Sequence, residues 1–131
     1  MPRLILPSTL KDFFFDELWD TPCIWALPTA VTSSSLDGLW WHAALPIWST
    51  VRHEARFDLR PLDVVAHPER YPRHWDRILA ADRSYPLELF QKSGRWVIVD
   101  GYHRLIRHRL AGAVEVRVRL HSASDWPRVR I

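Results

Sequence analysis

Apolar and polar positions along this chain change period several times, and each change predicts an element. The run EARFDLRPLDVV, residues 54–65, alternates and ends in a proline turn, which predicts a strand. HPERYPRHWDRILAAD follows, with Pro72 suited to the first position of a helix. Trp75, Ile78 and Leu79 then recur at i, i+3 and i+4 as one apolar stripe. YPLELFQKSGRWVIVDG reads as two strands around a Ser93-Gly94 turn. Residues 102–111 return to helical spacing and stop at Gly112, a C-terminal cap. Tyr102, Leu105, Ile106 and Leu110 share the arc that should face the sheet, while His103 with Arg107 and Arg104 with His108 form i,i+4 pairs elsewhere. Arg109 falls inside the apolar arc, so its head must leave past the helix end. VEVRVRL alternates again, as a strand with one solvated face. Strand, helix, hairpin, helix, strand: the pattern over residues 51–131 is that of a small α+β domain.

Residues 1–50 are patterned differently. Trp19, Trp25, Trp40, Trp41 and Trp48 crowd there beside Pro22, Pro28 and Pro46, which exclude long helices from most of the region. TAVTSSSLDG reads as loop or turn, and Leu10–Trp19 as one short helix. The expectation is an extension packed on the core, its tryptophans building a core against the main sheet or, as the alternative, a substrate-binding wall or lid. The tail SASDWPRVRI is expected to be peripheral.

Composition narrows the classes. The 131 residues are 47% hydrophobic and 25% charged, enough for one globular domain with a real core. No run of 18 apolar residues predicts a membrane span, and the N-terminus lacks a signal-peptide pattern. The single cysteine, Cys23, excludes an internal disulfide, so a reducing cytoplasm is the expected setting. A packed thiol accounts for it more simply than a nucleophile without His or Asn context. The net charge is +3, too modest to imply nucleic-acid binding by itself. It is unevenly spread, however: residues 51–131 carry sixteen basic and ten acidic groups. Sixteen of the eighteen basic residues are Arg, whose planar fork suits phosphate, although a general preference for Arg codons explains the same excess.

Candidate chemistry concentrates where the second hairpin strand meets the helix, in VIVDGYHRLIR. Gly101 allows a close backbone approach, and the first helical N–H groups lack intrahelical partners. With His103 and Arg104 they form an arrangement suited to phosphate. Asp100 could hold a divalent metal, orient His103 or accept a proton. The plainer reading makes Asp100 a helix cap and Arg104 a solvated side chain. Physics alone leaves these alternatives open.

The segment YPLELFQKSGRWVIVDGYHRLIRHRLAGAVEVRVRL resembles the nucleotide-binding core of the ParB/sulfiredoxin superfamily, over roughly residues 52–121. Members read P-[IL]-x-V…G-x-[YW]-x-[IVL]-x-D/G-G-x-[HR]-R, then a helix, a Gly and a final strand. The resemblance implies a ParB/sulfiredoxin-like fold. In sulfiredoxins the segment is Gly-Cys-His-Arg, whose His-Arg pair engages ATP phosphates; this implies such roles for Gly101, His103 and Arg104. Arg60-Pro61-Leu62 is similar to the sulfiredoxin RPL. Tyr102 replaces the reactive cysteine, so sulfinic-acid reductase chemistry is rejected, and the Tyr102 backbone N–H is left to bind phosphate. Partition ParB proteins read Gly-Glu-Arg-Arg, bind CTP and continue into a helix-turn-helix; only Gly101 and Arg104 match, and this chain stops ten residues after the last strand, so a complete partition protein is not expected. The free serine kinase branch reads Asp-Gly-His-His-Arg, matching Asp100, Gly101, His103 and Arg104, and its upstream catalytic Glu would correspond to Glu54.

The resemblance implies a small nucleotide-binding enzyme using ATP, ADP or CTP with Mg²⁺. It would transfer a phosphoryl group to a small hydroxylated acceptor or hydrolyse the nucleotide. Asp100 would be metal ligand or base, with Glu54 and His103 as further catalytic candidates. The alternative is a nucleotide-gated module binding DNA or protein, supported by the basic half and an Arg117/Arg119 strand face. A homodimer is compatible with either, and no membrane association is expected. A nuclease ranks third, since no acidic metal cluster stands behind it.

Overall fold

The computed structural model describes residues 3–131. It is an α+β domain built on one four-stranded mixed sheet in the order β1-β4-β2-β3. The strands are β1 (Val31–Ser35), β2 (Leu87–Lys92), β3 (Arg95–Asp100) and β4 (Glu115–His121). β2 and β3 form the expected antiparallel hairpin, whose Ser93-Gly94 turn has both residues at positive φ, 52° and 75°, the twist that matches two-residue hairpins. β4 lies parallel to β2 and antiparallel to β1. Among the described residues, no helix is long and apolar enough to cross a membrane.

Helices cover both faces. α4 (Pro72–Ala80) and α5 (Tyr102–Leu110) pack on one face, along with α2 (Leu36–Leu39) and α3 (Pro61–Ala66). There Leu105, Ile106, Ile78 and Val64 meet Leu87, Leu89, Val97, Val116 and Val118 in the main core. α1 (Thr21–Trp25) and α6 (Trp126–Val129) close the other face over a smaller core of Ile24, Leu27, Phe90, Val99, Trp126 and Val129.

The hairpin, α4, α5 and β4 stand as expected, with three side chains misjudged. Leu79 and Leu110 are exposed, whereas His108 is buried and accepts a hydrogen bond from Arg83 Nε at 3.2 Å. Arg109 solves its own difficulty by passing over the Trp40 ring at 4.3 Å to reach Asp37 at 2.9 Å.

Five expectations are corrected. Residues 54–65 are not a strand: His53 and Phe57 have positive φ, which breaks extension, and Leu59 makes only a bridge to Trp48. Pro61 then opens α3, with the Arg60 backbone N–H donating to Asp63 at 3.0 Å as its start signal. Residues 29–38 are not simply a loop, because Val31–Ser35 pairs with β4. That strand belongs to the same four-stranded sheet as β2, β3 and β4. Leu10–Trp19 is a series of turns rather than a helix. Its consecutive rings Phe13, Phe14 and Phe15 pack separately on Trp41, Trp19 with Phe57, and Trp126. The tail is not peripheral, since Trp126 and Val129 are buried. Finally, the charged face of β4 is only partly solvated: Glu115 and Arg117 are exposed, but Arg119 and His121 are buried with Glu88 beneath α1.

Candidate functional site

The C-terminal end of β3 delivers Asp100 and Gly101 to the start of α5. Gly101 has φ +118°, a backbone that L side chains rarely adopt, and a Cβ there would lie 2.6 Å from Leu87 Cδ2. No side chain caps α5 and no acidic residue occupies its first turn. Its leading backbone donors are therefore left without a protein side chain, at the positive end of the helix dipole.

These groups open into a cleft of about 420 Å³ lined by Arg77, Asp82, Tyr85, Asp100, Gly101, Tyr102, His103 and Arg104. Arg104 is fixed rather than loosely solvated. Its Nη1 donates to the Pro86 carbonyl at 2.7 Å, and its Nη2 lies 3.5 Å from Asp100 Oδ2. Arg77 differs, having no carboxylate or hydrogen-bond partner among the described residues. Arg77 is exposed to solvent, and partial burial first, then the neighbouring Arg73, lower its pKa, so its unpaired charge is available to an anion.

Asp100 does not cap the helix. Its Oδ2 accepts a hydrogen bond from the Trp25 indole at 2.9 Å. Oδ1 has no partner among the described residues. No three His, Cys, Asp or Glu side chains among the described residues converge as a metal cage. A Mg²⁺ at this place would take one oxygen from Asp100 and the rest from phosphates and water, a coordination that suits this ion.

His103 lines the cleft but turns its ring inward, stacked on Trp48 with centroids 4.2 Å apart. Its Nε2 is 3.1 Å from His74 Nδ1, while His74 Nε2 is 3.0 Å from the Ser49 carbonyl. Since that carbonyl can only accept, His74 donates through Nε2 and accepts at Nδ1, and His103 donates through Nε2. Burial first, then Arg77, His74, Arg73 and Arg104, push the His103 pKa down from 6.5 to about 2. The ring is therefore neutral, and its contribution to an anion is its backbone N–H rather than a cation. Tyr102 packs into the core, its hydroxyl donating to the Ile98 carbonyl at 2.8 Å. Burial raises the phenol pKa above its ordinary range. Glu54 is not brought to this cleft. It is exposed, paired with Arg56 at 2.8 Å, and lines a separate depression with Trp48, His53, Arg73 and His74. Arg77 alone borders both.

Tyr85 and Arg104 also line a second, adjoining cleft of about 550 Å³, completed by Trp25, Pro86, Glu88 and Arg119. Trp25 and Tyr85 are 58% and 62% exposed, unusual for rings of this size. Glu88 is 2% exposed, and its Oε1 meets His121 Nε2 at 2.7 Å and Arg119 Nη1 at 3.1 Å. Arg119 also bonds the Trp25, Leu27 and Thr29 carbonyls, which holds the end of α1 over the sheet. Sequence reasoning missed Trp25, Arg77, Tyr85 and Glu88 as a group. Glu88 alone carried a signal, a carboxylate within the apolar run of YPLELF. No protein-family profile, curated protein or solved structure matches this chain.

Proposed function

We propose that this protein binds a nucleotide, with its phosphates at the start of α5 and its nucleoside in the adjoining cleft. The observation that carries this reading is the convergence, in one cleft, of uncapped α5 N–H groups, the anchored Arg104 and the unpartnered Arg77. Together they supply directed donors and positive charge, the two requirements for phosphate. The resemblance of Gly101, His103 and Arg104 to the ParB/sulfiredoxin motif points the same way, with His103 contributing through its backbone. Mg²⁺, when bound, would neutralise phosphate charge beside Asp100. The reaction suited to such a site is phosphoryl transfer to a hydroxylated acceptor or nucleotide hydrolysis, with Asp100 as the carboxylate that takes the proton. Glu54 has no part in it, since it lines a different depression. The DNA-binding alternative loses part of its basis, because Arg119 is buried against Glu88 rather than offered on a strand face.

Calorimetric titration with ATP, ADP and CTP, with and without Mg²⁺, tests the reading. Arg77→Ala removes no hydrogen bond or ion pair among the described residues, so it should weaken binding while changing the melting temperature little. Arg104→Ala should cost about 1.5–3 kcal/mol of binding, the range for a charge-assisted hydrogen bond. Asp100→Asn keeps an acceptor for Trp25 and should abolish turnover with the fold intact. Unchanged affinity in both Arg variants overturns the phosphate site; unchanged turnover in Asp100→Asn overturns the catalytic role.

A further inference from the structure

We infer that β1 is the seam of a symmetric dimer. The Val31–Ser35 strands of two copies pair antiparallel about a twofold axis at Ser33 and join two four-stranded sheets into one. The fold treats the two edges of its sheet differently. At the β3 edge, the outward N–H and carbonyl of Ile98 are taken by the His42 and Tyr102 side chains. The β1 edge has no such cover. The Leu36 N–H donates to the Val114 carbonyl at 2.9 Å, and the five pairs of β1 with β4 run on from it without a bulge. That phase turns the backbone of Thr32 and Ser34 toward β4 and that of Val31, Ser33 and Ser35 away from it. The backbone N–H and carbonyl groups of Val31 and Ser33 have no hydrogen-bond partner among the described residues. Both residues are exposed, as are Thr32 and Ser35. Edge strands that resist pairing carry charge, proline or a bulge, and VTSSS has none of these.

The strand's own residues point to a second copy as the occupant. A twofold axis at Ser33 sets that residue opposite the partner's Ser33, Thr32 opposite the partner's Ser34, and Val31 opposite the partner's Ser35. The residues with outward backbone then face one another. Ser33 N–H meets the carbonyl of the partner's Ser33, and Ser35 N–H meets that of the partner's Val31, each bond being made twice by the symmetry. The same axis sets like beside like, which a charged strand could not tolerate. Val-Thr-Ser-Ser-Ser is uncharged, and the nearest charge along the chain, Asp37, is already paired with Arg109 at 2.9 Å. A foreign peptide on a sheet edge is chosen by pockets for its alternate side chains. Of β1, only Ser34 borders a described cleft, so this edge offers backbone rather than pockets. A short seam of this kind lies at the weak end of specific interfaces, so monomer and dimer should exchange at micromolar concentrations.

Sedimentation velocity over roughly a hundredfold range of micromolar concentrations tests this. The wild-type mass should rise from 15.5 kDa toward twice that value as the concentration increases. Amide exchange should slow at Val31 and Ser33 over the same range, while Thr32 and Ser34, already bonded to β4, should not change. Ser33→Pro deletes an outward N–H without deleting a bond to β4, and should stay monomeric. Ser33→Lys and Ser33→Glu set like charges face to face on the axis. Each should stay monomeric alone, and an equal mixture of the two should dimerise again. Both change an exposed side chain, so they decide the matter if Ser33→Pro does not fold. A wild type that is monomeric at every concentration, with Val31 and Ser33 exchanging freely, would overturn the inference and leave the edge to a different protein. A dimer that survives Ser33→Pro and both charged variants would put the interface elsewhere and overturn it as well.

Discussion

His42 shows how much a single residue can carry in this fold. It is fully buried; its Nδ1 donates to the Leu39 carbonyl at 2.7 Å, and its Nε2 accepts from the Ile98 backbone N–H at 3.0 Å. Ile98 lies on β3, the sheet's edge, and its outward carbonyl is taken by Tyr102. Two side chains thus satisfy the outward backbone N–H and carbonyl of Ile98 in the place of a further strand. Burial pushes the His42 pKa from 6.5 down to about 4. Between those values the unfolded chain binds a proton that the folded chain refuses, so stability is complete above pH 6.5 and falls as the pH drops toward 4. At about 1.4 kcal/mol per pKa unit, His42 accounts for about 3 kcal/mol of that loss. His74 and His103 are shifted in the same direction, and His103 extends the decline toward pH 2. Urea midpoints should therefore fall steadily below pH 6.5, and His42→Leu should lower stability at pH 7.5 while flattening this acid limb. An acid limb of unchanged slope in the variant would show that other groups drive it. Gly101→Ala belongs to the same scale. Its positive φ and the contact with Leu87 should cost about 1–3 kcal/mol, and the displaced Arg104 should weaken phosphate binding as well.

At the scale of elements, the second face of the sheet rests on short pieces that have little helical stability of their own. α1 has five residues and α6 four, too few to form helix without tertiary support. Their support is the Trp126 ring, stacked on Phe15 at 4.1 Å and bonded to Glu17 through Nε1 at 3.2 Å. Trp126→Ala should destabilise the protein by about 3–5 kcal/mol, the usual range for emptying a buried Trp site. Because α1 carries Trp25, the same substitution should quench any nucleotide-induced change in Trp25 fluorescence. Retention of wild-type stability would show that this face is optional. The elements legible in advance were those with their own periodicity or turn chemistry: the hairpin with Ser93-Gly94, α4 behind Pro72, and α5 between Gly101 and Gly112. β1 was not legible, because VTSSS has no alternation and becomes a strand only by pairing with β4. Residues 54–65 misled in the opposite way, an alternating pattern broken by backbone at Phe57 and by a helix start at Pro61.

Across the whole molecule, the described residues before and after position 50 share one sheet. The first half supplies the edge strand β1, the His42 cap on β3 and the aromatic packing beneath both faces. A fragment of residues 51–131 should consequently give an unfolded circular-dichroism spectrum and poorly dispersed amide resonances, whereas a native-like spectrum would reinstate a separable core. The site divides along the same line. Sequence alone singled out the strand-to-helix junction proposed to hold phosphate, since Asp100, Gly101, Tyr102, His103 and Arg104 are consecutive and such a junction needs only local rules to be recognised. It also determined the α+β class, through periodicity and turns. Only the tertiary structure decided that His103 faces Trp48 as a neutral ring, that Glu54 belongs elsewhere, and that Arg77, Trp25, Tyr85 and Glu88 complete two adjoining clefts. Arg77, Trp25, Tyr85 and Glu88 lie 12 to 75 positions from Asp100, on other elements of the fold. Protonation, burial and convergence of that kind depend on which distant surfaces meet, and no local spacing encodes them.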